Sequence, residues 1–129
     1  MKQKEIKVLM VEPLKEPKAV ILKADLASLQ NAISIGADYQ GLIEIITIDN
    51  GVCLLCNEEG KLIGLEGNRR IGNDIIAGVF YVVGENDDGE LISLTEEQMQ
   101  TYKERFRNPE HYSKEDVART IHIGIFPLA

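Results

Sequence analysis

A chain of 129 residues with 44% hydrophobic and 27% charged side chains has the make-up of one folded domain, and this excludes default disorder. Its formal net charge of −7 and pI near 4.8 repel phosphate backbones, so no duplex nucleic acid is expected as a partner. No apolar run approaches the roughly 18 residues of a membrane span, and the charged start Met1-Lys2-Gln3-Lys4-Glu5 has no signal core.

With only two cysteines, the expectation is a cytoplasmic protein with no disulfide framework and no membrane contact. Ile6 to Val11 predicts a first strand, stopped at Glu12-Pro13, and Leu14 to Pro17 has turn chemistry. Ala19 to Leu22 predicts a second strand. Asp25 then caps a helix on which Leu26, Leu29 and Ile33 recur at helical spacing, with Gly36 at its end. Leu42 to Ile48 predicts a strand, Asn50-Gly51 a tight hairpin turn, and Val52 to Cys56 the returning strand. Asn57 to Gly60 is a further turn, and Lys61 to Gly64 a short strand beyond it.

The polar stretch Asn68 to Asp74 reads as a loop. Ile75 to Val83 is the longest apolar run, and its branched and aromatic content predicts a central strand. After the acidic turn Gly84 to Gly89, Leu91 to Ser93 pairs back. Thr95 with Gln98 matches a capping box and starts a helix running to Arg107. Ser113 with Asp116 caps a short last helix, and Ile121, Ile123 and Ile125 alternate as a final strand. The reading is an α+β fold, a mostly antiparallel β-meander with two or three helices packed against it. Residues 1–107 form the core domain. Residues 108–129 form a C-terminal extension of helix plus strand, either part of that domain or an oligomer contact, and a homo-oligomer is expected.

The ordered series Val11-Glu12-Pro13, Leu29-Gln30, Ile43-Glu44, Asn57-Glu58-Glu59-Gly60-Lys61, Asn68-Arg69, Ile76-Ala77-Gly78 and Ser93-Leu94-Thr95 carries a resemblance. Over residues 6 to 106 the chain resembles an uncharacterised family of small proteins from bacterial phages, plasmids and integrative elements. The resemblance implies a role in host takeover or defence evasion and supplies no catalytic residues.

Cys53 and Cys56, three apart on a strand, face opposite sides of the sheet, so buried core thiols are expected and no metal site. His111 and His122 have no serine or cysteine constellation around them. The carboxylate pairs Glu58-Glu59, Asp87-Asp88 and Glu96-Glu97 sit in turns or a helix cap. Asn68-Arg69-Arg70 concentrates positive charge in an acidic chain. Its two readings are a surface salt bridge to Glu66, Asp74 or Glu58, and an anion pocket in which arginine binds phosphate bidentately. On the second reading Arg69 and Arg70 neutralise phosphate, Asn57, Asn68 and Asn73 read sugar or base edges, and Tyr81 or Tyr102 stacks on a base. The expectation is a non-catalytic binder, with no cofactor, that sequesters a phosphorylated nucleotide signal of host defence. Two alternatives stand beside it. One is an interaction module that engages a host protein through an acidic surface or an edge strand, and the other is a hydrolase whose carboxylates spacing alone does not assemble.

Overall fold

Two hairpins flank one long strand at the centre of this chain. A computed structural model describes residues 4–121. The first hairpin joins β1 (Glu5–Val11) to β2 (Lys18–Lys23), and the second joins β3 (Ile43–Asp49) to β4 (Val52–Asn57). Between them lies β7 (Phe80–Glu85), and the sheet order is β2-β1-β7-β4-β3, antiparallel throughout. The two-residue β8 (Leu91–Ile92) continues beside β7. The order places the last long strand in the middle, where a simple meander would have it at an edge.

That central place follows from the side chains. Every residue from Val52 to Asn57 and from Phe80 to Gly84 is buried, since both faces of these strands are covered. Helix α1 (Leu26–Ile33) lays Leu29 and Ile33 on one face, against Ile6, Val8, Cys53, Leu55, Tyr81 and Val83. Helix α2 (Glu96–Arg105) covers the other with Met99 and Tyr102, followed by Phe106, against Leu9, Val11, Leu54, Phe80 and Val82. Phe80 meets Phe106 edge-on at 5.3 Å between centroids, a geometry worth ~1 kcal/mol beyond its buried area. Both helix starts are those read from the sequence. Asp25 accepts from the Ser28 amide, and Thr95 and Gln98 complete a capping box.

Two expectations fail beyond β4. Lys61 to Gly64 is no strand. It closes as a helical turn, with Ile63 N donating to Glu59 O and Leu65 N to Gly60 O. Asn68 to Asp74 is no loop. It supplies most of a separate hairpin, β5 (Gly67–Ile71) and β6 (Asp74–Ala77), turned at Gly72 with φ +61°. The long apolar run is therefore split. Gly78, at φ +86°, lets the chain leave β6 and enter β7, and a Cβ there would lie 2.7 Å from Leu65 Cδ1.

The extension up to Ile121 packs on that hairpin. Helix α3 (Lys114–Ala118), capped by Ser113 and Asp116, sets Val117 with Tyr112 against Ile75 and Ala77. The strand expected around Ile123 and Ile125, with His122, lies outside the described residues. Among the described residues no helix is long and apolar enough to cross a membrane.

Candidate functional site

The residues expected to hold a phosphate are dispersed, and several are spent inside the protein. Arg69 is fully buried. Its Nε and Nη2 donate to Phe106 O at 3.2 and 2.7 Å, Nη2 also to Lys15 O at 2.7 Å, and Nη1 to Asn68 Oδ1 at 2.9 Å. Phe106 is the C-cap of α2, so the guanidinium sits where a helix gathers negative potential. Burial pulls the Arg69 pKa down from its ordinary value, and Glu110 and Tyr112 oppose that shift. Asn68, also fully buried, donates its Nδ2 to Val11 O and Gly78 O. Together Asn68 and Arg69 tie β5 to β1, to the turn after β1 and to the end of α2. Arg69 thus has no free face for a ligand, which corrects the picture of a basic loop.

Arg70 points the other way. It is exposed, its guanidinium lies 5.6 Å from the centre of the Tyr112 ring, and its backbone N–H donates to Glu110 Oε1 at 2.8 Å. Asn73 is exposed on the hairpin turn. Neither aromatic candidate offers a stacking face. Tyr81 is 2% exposed and donates its hydroxyl to Ala32 O, and burial pushes its pKa up to about 12. Tyr102 is 3% exposed and donates to Asp49 Oδ2 at 3.1 Å, with its ring stacked on Phe106.

Only Asn57 of the expected set lies on the main cavity. This hollow of about 580 Å³ opens between the β3–β4 hairpin, the turn after it, and β6. Cys56, Ile76 and Ala77 form a buried apolar floor, and Leu42, Leu62 and Ile121 stand around the rim. Glu44, Glu58, Glu59 and Asp74 supply carboxylates against one ammonium, Lys61. Lys61 pairs with Asp74 and donates to Thr120 O at 2.8 Å, so its charge is already countered. The turn bearing Glu58 and Glu59 is set by Asn57, whose Oδ1 accepts from the Glu59 amide at 2.9 Å. Asn57 Nδ2 is buried with no partner, against the Gly41 backbone, where a Cβ would come within 2.5 Å of it.

Glu44, Lys61 and Asp74 escaped the sequence reading because they lie on three separate segments. The one available signal was the charged residues bracketing short apolar runs.

Among the described residues the cavity holds no activated nucleophile. Burial first, then the Glu44 carboxylate beside it, pushes the Cys56 thiol up to about 12, and burial raises Cys53 to about 11, both from 9.0. The two thiols face opposite sides of the sheet, as the strand alternation predicts. Among the described residues no group of three or more His, Cys, Asp or Glu side chains is placed to hold a metal. Both thiols are therefore expected to resist a disulfide-exchange reagent near pH 8 in the native protein and to react fully in denaturant.

The same shifts set an alkaline limit. Cys53, Cys56 and Tyr81 have folded pKa values above their ordinary ones, so the folded state holds those protons more tightly. The stability they contribute is complete below about pH 9 and drains away as pH rises toward 12. A series of urea unfolding curves is expected to show the midpoint falling across that window. A flat profile would refute the burial argument.

Residues 6–107 match the family described as Domain of unknown function (DUF3846). The match spans most of the chain, and the chain belongs to that family. No curated protein and no solved structure matches it.

Proposed function

We propose that this member of the DUF3846 family is a non-catalytic binding protein whose ligand occupies the cavity between the β3–β4 hairpin and β6. One observation carries the reading. A hollow of about 580 Å³, within the usual size of small-molecule sites, combines a buried apolar floor with a carboxylate wall. The ligand class follows from the charges. Glu44, Glu58, Glu59 and Asp74 outnumber Lys61, and Lys61 is already paired, so the wall attracts protonated amines and N–H donors and repels phosphate. A compact molecule with an apolar body and a cationic head fits this lining.

Binding in place of chemistry follows from the same residues. The thiol stays protonated, the lysine is held by Asp74 and Thr120 O, and no histidine among the described residues lines the hollow. Action is then by mass action, with the protein withholding its ligand from other users. The resemblance to phage, plasmid and integrative-element proteins favours a host-derived ligand met in the cytoplasm.

A phosphorylated nucleotide would have to seat elsewhere. The one exposed arginine of the expected set is Arg70, beside Tyr112 and on the same hairpin as Asn73.

Native mass spectrometry of the purified protein, followed by calorimetry with a panel of amines and nucleotides, tests both readings. The expected result is amine binding that weakens at least about tenfold in Glu44→Gln/Glu59→Gln, a loss of about 1.4 kcal/mol, and is unmoved by Arg70→Ala. Nucleotide binding that survives the cavity variant and disappears in Arg70→Ala would overturn the assignment. A stably co-purifying host protein with the cavity empty would favour an interaction module.

A further inference from the structure

The two outer edges of the main sheet differ in how they meet solvent. β2 is bracketed by Lys18 and Lys23 and preceded by Pro17, and lysine and proline discourage edge pairing. β3, with the sequence Ile-Glu-Ile-Ile-Thr-Ile-Asp, has no lysine, arginine or proline, and among the described residues no strand pairs its outer edge. Ile45 is 54% exposed there and Leu42 58%.

Hydrogen-bond parity shows which groups point away from β4. Leu42 O accepts from Glu58 N, so Leu42 turns inward to β4. Alternation along an antiparallel strand then directs the N–H and C=O groups of Ile43, Ile45 and Thr47 outward. A bulge between Thr47 and Asp49 ends the regular edge.

We propose that β3 pairs antiparallel with β3 of a second copy, across a two-fold axis at Ile45, and that this dimer completes the β3 wall of the cavity. The sequence is self-complementary about that residue. Ile45 opposes Ile45 and Ile43 opposes Thr47 on the α1 face, while Leu42 opposes Ile48 and Glu44 opposes Ile46 on the α2 face. The one charged side chain between Leu42 and Ile48 thus meets an isoleucine and never its own copy, which avoids the penalty of like charges directly opposite. Each outward backbone group finds its partner, and a two-fold contact of one patch with itself is the commonest closed assembly. Glu44 and Leu42 line the cavity, so Ile46 and Ile48 of the second copy come to stand beside its β3 side.

Charge distinguishes this occupant from a foreign strand. Each copy carries −7, so the dimer tightens as salt screens the repulsion, whereas a basic peptide on the same edge would loosen.

Sedimentation analysis of the full chain over a range of concentration and salt, with amide hydrogen exchange, tests this. A dimer strengthened by salt is expected, with slow exchange at Ile43, Ile45 and Thr47. Ile45→Lys puts two ammonium groups across the axis and is expected to raise the dimer Kd at least about tenfold. Thr47→Lys, which faces Ile43, has the smaller effect, and Ile21→Lys on the opposite edge has none. Circular dichroism checks that each variant stays folded, as exposed positions should allow.

A monomer at all concentrations overturns the proposal, whether its β3 amides exchange freely or are protected by something else. So does a dimer indifferent to Ile45→Lys, or one disrupted more by Thr47→Lys. Failure here leaves the cavity assignment standing, because amine binding is read independently of assembly.

Discussion

Arg69→Ala is expected to destabilise the protein by about 4 kcal/mol and to lower the thermal midpoint by about 15 °C, the shift such a loss produces in a domain of this length. The magnitude comes from what the guanidinium satisfies. Removing it leaves the buried Phe106 O and Asn68 Oδ1 and the partly buried Lys15 O without that donor, each lost bond costing roughly 1 kcal/mol, and it opens a void where the side chain packed. Arg69→Lys keeps the charge but has no planar fork to span three acceptors on different segments, so about half the loss is expected. Thermal and urea unfolding read both values. The alternative role predicts the reverse pattern: a phosphate-binding arginine would leave stability near wild type and change affinity alone. An unchanged midpoint for Arg69→Ala would therefore remove the clasp from this account.

That arginine also marks where the sequence stopped being legible. β1, β3, β4 and the three helices announce themselves through apolar strand patterns, an Asn-Gly turn and cap residues whose hydrogen bonds are local. Their signals lie within a few positions of one another, so one chain suffices to read them. β5 carries the opposite signal. Its buried positions are Gly67, Asn68 and Arg69, residue types that argue for solvent, and they are buried because their partners lie far away at Val11, Lys15 and Phe106. Tertiary hydrogen bonding overrides local polarity there, and a run of polar residues with two glycines looks like a loop until its partners are known. The cavity was hidden for a related reason. Its carboxylates come from β3, from the turn after β4 and from the start of β6, each unremarkable alone.

Both features meet at the hairpin β5–β6. Its Arg69 and Asn68 anchor it to β1 and α2, its Ile75 and Ala77 support α3, and its Asp74, Ile76 and Ala77 form one side of the cavity. A hairpin whose first strand and turn read as a connector in the sequence is thus the piece that holds the extension, the core and the proposed site in register. Binding should be sensitive to any change that shifts this hairpin, even where no ligand contact is altered.

Gly60→Ala provides that test and is expected to cost about 2 kcal/mol together with most of the ligand affinity. Gly60 lies between Glu59 and Lys61 in the turn facing β6. A Cβ added there would sit 2.6 Å from Ala77 O and 3.4 Å from Ala77 C, which are backbone atoms that no rotamer change can move aside. Either the turn or the end of β6 must yield. The turn is fixed by Gly60 N donating to Asn57 O and Leu65 N donating to Gly60 O, and β6 by its ladder with β5. Whichever gives way, the spacing between Glu59 on one wall and Ala77 on the floor changes. Gly64→Ala is the matched control: its Cβ would meet nothing within 4 Å, and its φ of +78° taxes the backbone without touching the cavity floor. The expected outcome is a loss of stability in both variants, with amine affinity falling in Gly60→Ala and held in Gly64→Ala. Calorimetry on the two, each measured well below its unfolding midpoint, separates a displaced wall from a weakened fold. Equal affinities in the two variants would show that the ligand does not sit against this floor.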